Sequence, residues 1–162
     1  STTLLVLDAD ALNCVAKQPE ILLKKKAPII ITPHPGEMSR LTGLATPLVN
    51  AERERVALDF AQKYGVVTVL KGAGTVIASP NGKVLVNPTG NSGMATGGSG
   101  DVLAGMTASI LAQGASAFSS AAAAVYLHGL AGDIAAEKYG KISMLPTDLI
   151  NCIPLAYKRC GF

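Results

Sequence analysis

Asp101 follows a run of glycines, and an acid in that setting can do chemistry. The stretch from Asn87 to Gly105 holds Gly90, Gly93, Gly97, Gly98, Gly100 and Gly105, so its backbone can take positive φ and approach a ligand with no Cβ in the way. Behind it Val102, Leu103, Met106, Ile110 and Leu111 fall at helical spacing, which makes Asp101 the first residue or cap of a helix. Unpaired N–H groups at a helix start, with an aligned dipole worth roughly half a positive charge, attract an anion, and phosphate is the obvious candidate. A carboxylate there is either a simple cap or, beside phosphate, a base that accepts a proton from a hydroxyl attacking phosphorus. The glycine loop favours the second reading. Two other phosphate loops are excluded: no Gly-x-x-x-x-Gly-Lys-Ser/Thr occurs, and the run from Gly98 to Leu103 lacks the third glycine of the dinucleotide fingerprint.

Further polar groups follow short apolar runs. Asp8, Asp10 and Asn13 cluster just after Leu4 to Leu7; Asp10 either caps a short helix carrying Leu12 and Val15 or stands near substrate or magnesium. His34 is held between Pro33 and Pro35, which restrict the backbone to extended forms and fix the direction of the imidazole. Glu37 reads as a first-turn acid favouring the helix dipole. Lys71, in Lys71-Gly72-Ala73-Gly74-Thr75, follows the third apolar run and can be an ordinary surface lysine.

The elements that must position these groups alternate. Leu4 to Leu7, Pro28 to Thr32 and Val66 to Leu70 are unalternating apolar runs, each predicting a parallel strand covered on both faces. Between them lie a short helix closed by Gly43 and an amphipathic helix over Ala51 to Tyr64 stopped by Gly65. Thr75 to Ser79 and Lys83 to Asn87 flank Asn81-Gly82 as a hairpin leading into the glycine loop, with Asn91 on its wall. After the Asp101 helix, Ala121 to Ala124, Gly129, Ala131 and Gly132 make a helix smooth enough to pack closely, and His128 and Asp133 on it read as structural. Pro146 and Thr147 open a last helix that Pro154 kinks or shortens. The pattern is a layered α/β fold whose strand ends meet at one edge.

Composition narrows the function classes. With 162 residues and 49% hydrophobic content, the chain reads as one globular domain over 1–162. A net charge of +3, from 14 basic and 11 acidic residues, is too small and scattered for a nucleic-acid partner, and Lys24-Lys25-Lys26 reads as a solvated helix end. Three cysteines, Cys14, Cys152 and Cys160, are odd in number and lack metal spacing, which fits a reducing cytoplasm. No signal peptide or membrane span is read.

Gly98-Ser99-Gly100-Asp101 resembles the Gly-x-Gly-Asp signature of the ribokinase-like superfamily. The longer string from Gly93 to Gly105, with Thr32-Pro33-His34-Pro35-Gly36-Glu37 and Leu7-Asp8-Ala9-Asp10-Ala11-Leu12-Asn13, is similar to the ADP- or ATP-dependent NAD(P)H-hydrate dehydratases. The resemblance implies a three-layer α/β/α sandwich with a mostly parallel sheet. Family members carry further strand and helix units before the segment matching Leu7 to Asn13, so the chain is expected to be a C-terminal portion lacking the N-terminal strands. Asp101 is then the catalytic base, and Gly98, Ser99 and Gly100 form the anion hole. Nucleotide contacts are expected from Lys71, Gly72, Ala73, Gly74, Thr75, Asn91, Gly93, Met94, Ala95, Thr96 and Gly97. Substrate contacts are expected from His34, Asp101, Asp10 and Asn13. The family implies hydrated NADH or NADPH as substrate, ADP or ATP as phosphoryl donor with Mg2+ bridging its phosphates, and a homo-oligomer, a tetramer. Two rivals stay open: a superfamily kinase of a hydroxymethylpyrimidine, thiazole or pyridoxal-like alcohol, and a nucleotide-binding module without activity.

Overall fold

Residues 4–162 are described by the structure, a computed structural model. Strands β1 (Leu5–Leu7), β2 (Ile29–Ile31) and β3 (Val67–Leu70) run parallel; β4 (Val76–Ala78) and β5 (Val84–Val86) continue the sheet antiparallel, in strict chain order. Because side chains alternate across a strand, Ile29 and Ile31 pack into one core and Ile30 into the other. The first core is covered by α1 (Asp10–Ala16), α2 (Pro35–Thr42), α3 (Thr46–Ala51) and α4 (Arg53–Tyr64). The second lies under α5 (Ser99–Ala112), α6 (Ala117–Tyr139) and α7 (Pro146–Arg159). Two apolar faces with helices on each explain why the isoleucine run does not alternate. The result is the expected three-layer arrangement with a mixed sheet.

Several local expectations hold for local reasons. Gly65 closes α4 in the left-handed conformation (φ 65), which a glycine adopts without Cβ strain. Around Asn81-Gly82 the chain turns back, with the Ser79 N–H donating to the Lys83 carbonyl across the hairpin.

Others are corrected by packing. β1, expected to be covered on both faces, is an edge strand paired only with β2 among the described residues, and Leu5 is 41% exposed. The helix expected from Ala51 begins at Arg53, because Glu52 leaves helical geometry (φ −126, ψ 42) and separates α3 from α4. Lys25 is not a solvated lysine: its Nζ donates to the Tyr64 carbonyl at 2.8 Å, a cation satisfying the C-terminal end of α4. α7 runs through Pro154 to Arg159 and is not shortened. Leu149, Cys152 and Ala156 are buried along it, and that packing outweighs the hydrogen bond a proline removes.

Candidate active site

The parallel strands deliver three polar groups to one edge. Register ties Leu7 to Ile31 and Ile31 to Thr68, and the Lys71 N–H donates to the Pro33 carbonyl at 2.8 Å, so Asp8, His34 and Lys71 follow neighbouring strand ends. The Lys71 ammonium donates to Asp8 Oδ1 at 2.6 Å and lies 3.8 Å from Glu37 Oε2, with all three side chains mostly buried. Lys71 is therefore neither an ordinary surface lysine nor a free cation. Two carboxylates hold it in a setting where water screens less than at the surface. Between Asp8 and α1, Ala9 takes φ 49, the one non-glycine residue with positive φ among the described residues, a strained joint of the kind found beside functional groups.

His34 caps α2. Its Nδ1 accepts from the N–H groups of Gly36 (3.0 Å) and Glu37 (3.3 Å), while Glu37 Oε2 accepts from the His34 N–H at 2.7 Å. This reciprocal arrangement is a capping box with histidine in the usual place of serine or threonine. An accepting Nδ1 carries no proton, so the proton of the neutral ring resides on Nε2. The half-exposed imidazole sets Nε2 3.5 Å from Glu37 Oε1. Glu37 was read as a first-turn acid only; it is that, but it is also buried and reaches Lys71. Asp8 was read merely as part of a cluster. The signal for both was weak, since the three groups are far apart in the chain and only the sheet brings them together.

Gly98 starts α5 with φ 97, a conformation that favours glycine. Among the described residues, the N–H groups of Gly97, Gly98, Gly100 and Asp101 donate to no protein acceptor, whereas that of Ser99 points to the Thr96 carbonyl at 3.3 Å. Of the residues expected to form the anion hole, Gly98 and Gly100 thus leave their amides unpartnered, as does Asp101 beside them, while the Ser99 amide is engaged in a turn. The Ser99 carbonyl accepts from His128 Nε2 at 2.9 Å. Gly100 lies against the charged pair: a Cβ there would sit 3.5 Å from Lys71 Nζ and 3.9 Å from Asp8 Oδ2. Asp101, in the first turn, is exposed, and its carboxylate has no hydrogen-bond or ion-pair partner among the described residues.

The remaining predicted residues separate into groups. Ala95, Thr96 and Gly97 form the exposed rim of the loop. Asn91 faces inward: its Oδ1 accepts from the Gly93 N–H at 3.0 Å and its Nδ2 donates to Asp133 Oδ1 at 2.9 Å. Met94, partly buried, packs its side chain against the second core, beside Gly132 of α6 and Gly90 of the loop. Gly93 is a glycine for a steric reason, because a Cβ would meet Lys141 Cα at 2.9 Å.

The Gly72 to Thr75 turn is backed by Arg53, whose Nη2 donates to the Leu70 carbonyl at 2.8 Å. Its Ala73 and Gly74 line a groove of about 440 Å³ with the 50–55 segment, Val76 and Val86, and no residue of the Gly97 to Asp101 loop lines that groove. Asp10 does not cap α1; Ala9 is the cap residue, and Asp10 accepts instead from Asn13 Nδ2 at 3.3 Å. Asn13 in turn accepts from Arg40 Nε at 2.9 Å, and this polar cluster is exposed. Among the described residues no helix is long and apolar enough to cross a membrane.

Known proteins share this sequence and fold. A family model described as NAD(P)H-hydrate dehydratase matches residues 1–155. A bifunctional NAD(P)H-hydrate repair enzyme of Moorella thermoacetica is 47% identical over 154 residues, covering 95% of this chain and 29% of that protein. The crystal structure of an ADP/ATP-dependent NAD(P)H-hydrate dehydratase from Bacillus subtilis, co-crystallized with ATP/Mg2+, superposes with a TM-score of 0.89 at 37% identity over 98% of this chain and 56% of that one. A ribokinase-like superfamily protein from Enterococcus faecalis gives a TM-score of 0.80 at 33% identity, over 95% and 52%. The chain thus spans little more than half the length of these solved relatives and less of the bifunctional enzyme. With nearly the whole chain matched and the glycine loop, the His34 cap and the Lys71 turn all present, it belongs to the NAD(P)H-hydrate dehydratase family.

Proposed function

We propose that the chain acts in the ADP- or ATP-dependent dehydration of hydrated NADH or NADPH, with Asp101 as general base. The observation that carries this reading is the meeting of three features. The unpartnered N–H groups of Gly98, Gly100 and Asp101 open α5, the Asp101 carboxylate is free, and Gly100 abuts the Lys71–Asp8 pair at the strand ends.

In the proposed sequence Asp101 accepts the proton of the hydroxyl on the nicotinamide ring while its oxygen bonds to the terminal phosphorus of ADP, breaking the phosphoanhydride and releasing AMP. The ring nitrogen's lone pair then expels phosphate, and loss of a proton from the neighbouring ring carbon restores the dihydronicotinamide. The amides at the start of α5 stabilise the negative charge that builds on the phosphoryl oxygens. His34, with its proton on Nε2, donates to the substrate, and Asp10 and Asn13 line the outer part of that side. Gly72 to Thr75 and Gly93 to Gly97 contact the nucleotide through their backbones. Lys71, held by Asp8 and Glu37, supports Gly100 electrostatically.

Mg2+ fits as a companion of the nucleotide. Among the described residues no cluster of three or more His, Cys, Asp or Glu is arranged to hold a metal, and Mg2+ asks for only one or two carboxylates beside phosphate oxygens. Asp8, with Oδ2 toward Gly100, is the carboxylate that would hold it. When bound, the ion neutralises charge on the transferring phosphate. We also infer a homo-oligomer, which the family resemblance implies, and a reducing compartment such as the cytoplasm, with which the three free cysteines agree.

Asp101→Asn tests the reading. Positioned general-base action is worth about 10² to 10⁴ in rate, so turnover of hydrated NADH should fall at least that far while calorimetry finds ADP bound as before. Unaltered turnover removes Asp101 from the mechanism. A stable phosphorylated product in place of returning NADH absorbance would instead favour a kinase, and ADP binding with no turnover by the unaltered chain a bare nucleotide module.

A further inference from the structure

The glycine loop is bonded at both ends by side chains of α6. His128, Gly129, Gly132 and Asp133 stand one, four and five positions from the first, a spacing that puts them on one side of a helix. At the end of the loop, the buried His128 ring donates to the Ser99 carbonyl at 2.9 Å. At its start, Asp133 Oδ2 accepts from the Gly90 N–H at 2.9 Å and Oδ1 accepts from Asn91 Nδ2 at 2.9 Å. Asn91 then passes the constraint on, since its Oδ1 accepts from the Gly93 N–H. Between these two ends Gly129 and Gly132 leave room for Thr89 and Met94: a Cβ on Gly129 would lie 2.8 Å from the Thr89 backbone. Asp133 thus satisfies two donors of one loop with two oxygens of one carboxylate, an arrangement with directional demands on both partners.

We infer that Asp133 and His128 are positioning residues that pin the two ends of the Gly90–Gly100 loop to α6, so that the N–H groups of Gly98, Gly100 and Asp101 converge on one phosphoryl group. The inference rests on the proposed role of that loop as an anion site and adds the residues that shape it. Neither residue touches substrate; each acts through the loop backbone.

A side-chain exchange tests this in a way that generic destabilisation cannot mimic. Asp133→Asn replaces one acceptor with a donor that opposes Asn91 Nδ2, and breaks the chain of bonds from Asp133 through Asn91 to Gly93. Adding Asn91→Asp restores it with reversed polarity: residue 133 still accepts from the Gly90 N–H, its new amide donates to residue 91, and residue 91 still accepts from the Gly93 N–H. The net charge is unchanged. The measurement is the Kd of ADP with Mg2+ by calorimetry on the full chain, with thermal melts alongside.

Asp133→Asn is expected to weaken ADP on the order of tenfold or more, the size of one lost charge-assisted hydrogen bond. The double variant should bind ADP more tightly than the single one, short of the parent by the cost of a carboxylate at residue 91 near the nucleotide. Should the single variant fail to fold, ADP binding by the folded double variant still carries the inference, and a folded double variant that has lost ADP overturns it. A single variant that melts lower yet binds ADP normally overturns it too. If the parent itself ignores ADP, the anion-site reading falls and takes this inference with it, whereas a binding parent with an indifferent variant defeats the positioning role alone.

Discussion

The imidazole of His128 is buried among the helices of the second core, and that desolvation pushes its pKa down to about 4 from an ordinary 6.5, although the hydrogen bond to the Ser99 carbonyl works in the opposite direction. Burial wins because the charged ring would lose its hydration while gaining one carbonyl partner. The sign of the pH effect follows. Between pH 6.5 and 4 the unfolded chain takes up a proton that the folded chain refuses, so folding stability is complete above pH 6.5 and declines as pH drops toward 4, with no further loss from this group below that. The size is about 3 kcal/mol, from 2.5 pH units at about 1.4 kcal/mol each. His128→Gln, which keeps a donor but cannot titrate, should lose markedly less stability than the parent between pH 7 and 4.5 in urea melts. Equal losses in the two proteins would mean that His128 is already charged or hydrated in the fold.

On α6 the glycines are needed for space, and they differ in what stands against them. A methyl on Gly129 would meet the Thr89 backbone, which hydrogen bonds pin in place: Thr89 Oγ1 donates to the Tyr126 carbonyl at 2.9 Å, and Asn87 Nδ2 donates to the Thr89 carbonyl at 2.9 Å. The three atoms nearest to a methyl on Gly132 all belong to the Met94 side chain, a flexible thioether. Overpacking costs about 1–3 kcal/mol, against a helix-propensity gain near 1 kcal/mol for alanine over glycine. Gly129→Ala is therefore expected to destabilise clearly in urea titration and Gly132→Ala little, and the reverse order would show that the loop backbone yields more easily than the thioether.

The same helix shows where reading the chain reached and where it stopped. Its small residues announced close packing, and the glycine density before Asp101 announced a helix start with open backbone N–H groups, because both are local properties of backbone and volume. That the packing partner is the loop itself was not legible: Asp133 and Gly90 are 43 residues apart, and Lys71 and Asp8 are 63 apart. Such pairings exist only once parallel strands and the α5–α6 pair have fixed the distances. Pro154 did not shorten its helix for the matching reason, since a local rule was outweighed by buried contacts along α7.

The hairpin edge of the sheet sets apolar surface beside charge. β5 exposes Leu85 (49%) and Val86 (50%) but begins beside the exposed Lys83, and a lysine at an edge discourages another strand from pairing there. A net charge of only +3 adds little long-range repulsion between copies, so at this edge the local lysine carries the barrier. In sedimentation velocity Leu85→Lys is expected to leave the profile as it is in the parent, and Lys83→Leu to shift it toward larger species with rising concentration. If Leu85→Lys alone dissociates an assembly, the apolar face of β5 is the contact and its lysine is no barrier. If Lys83→Leu changes nothing, charge at residue 83 is not what keeps copies from pairing along β5.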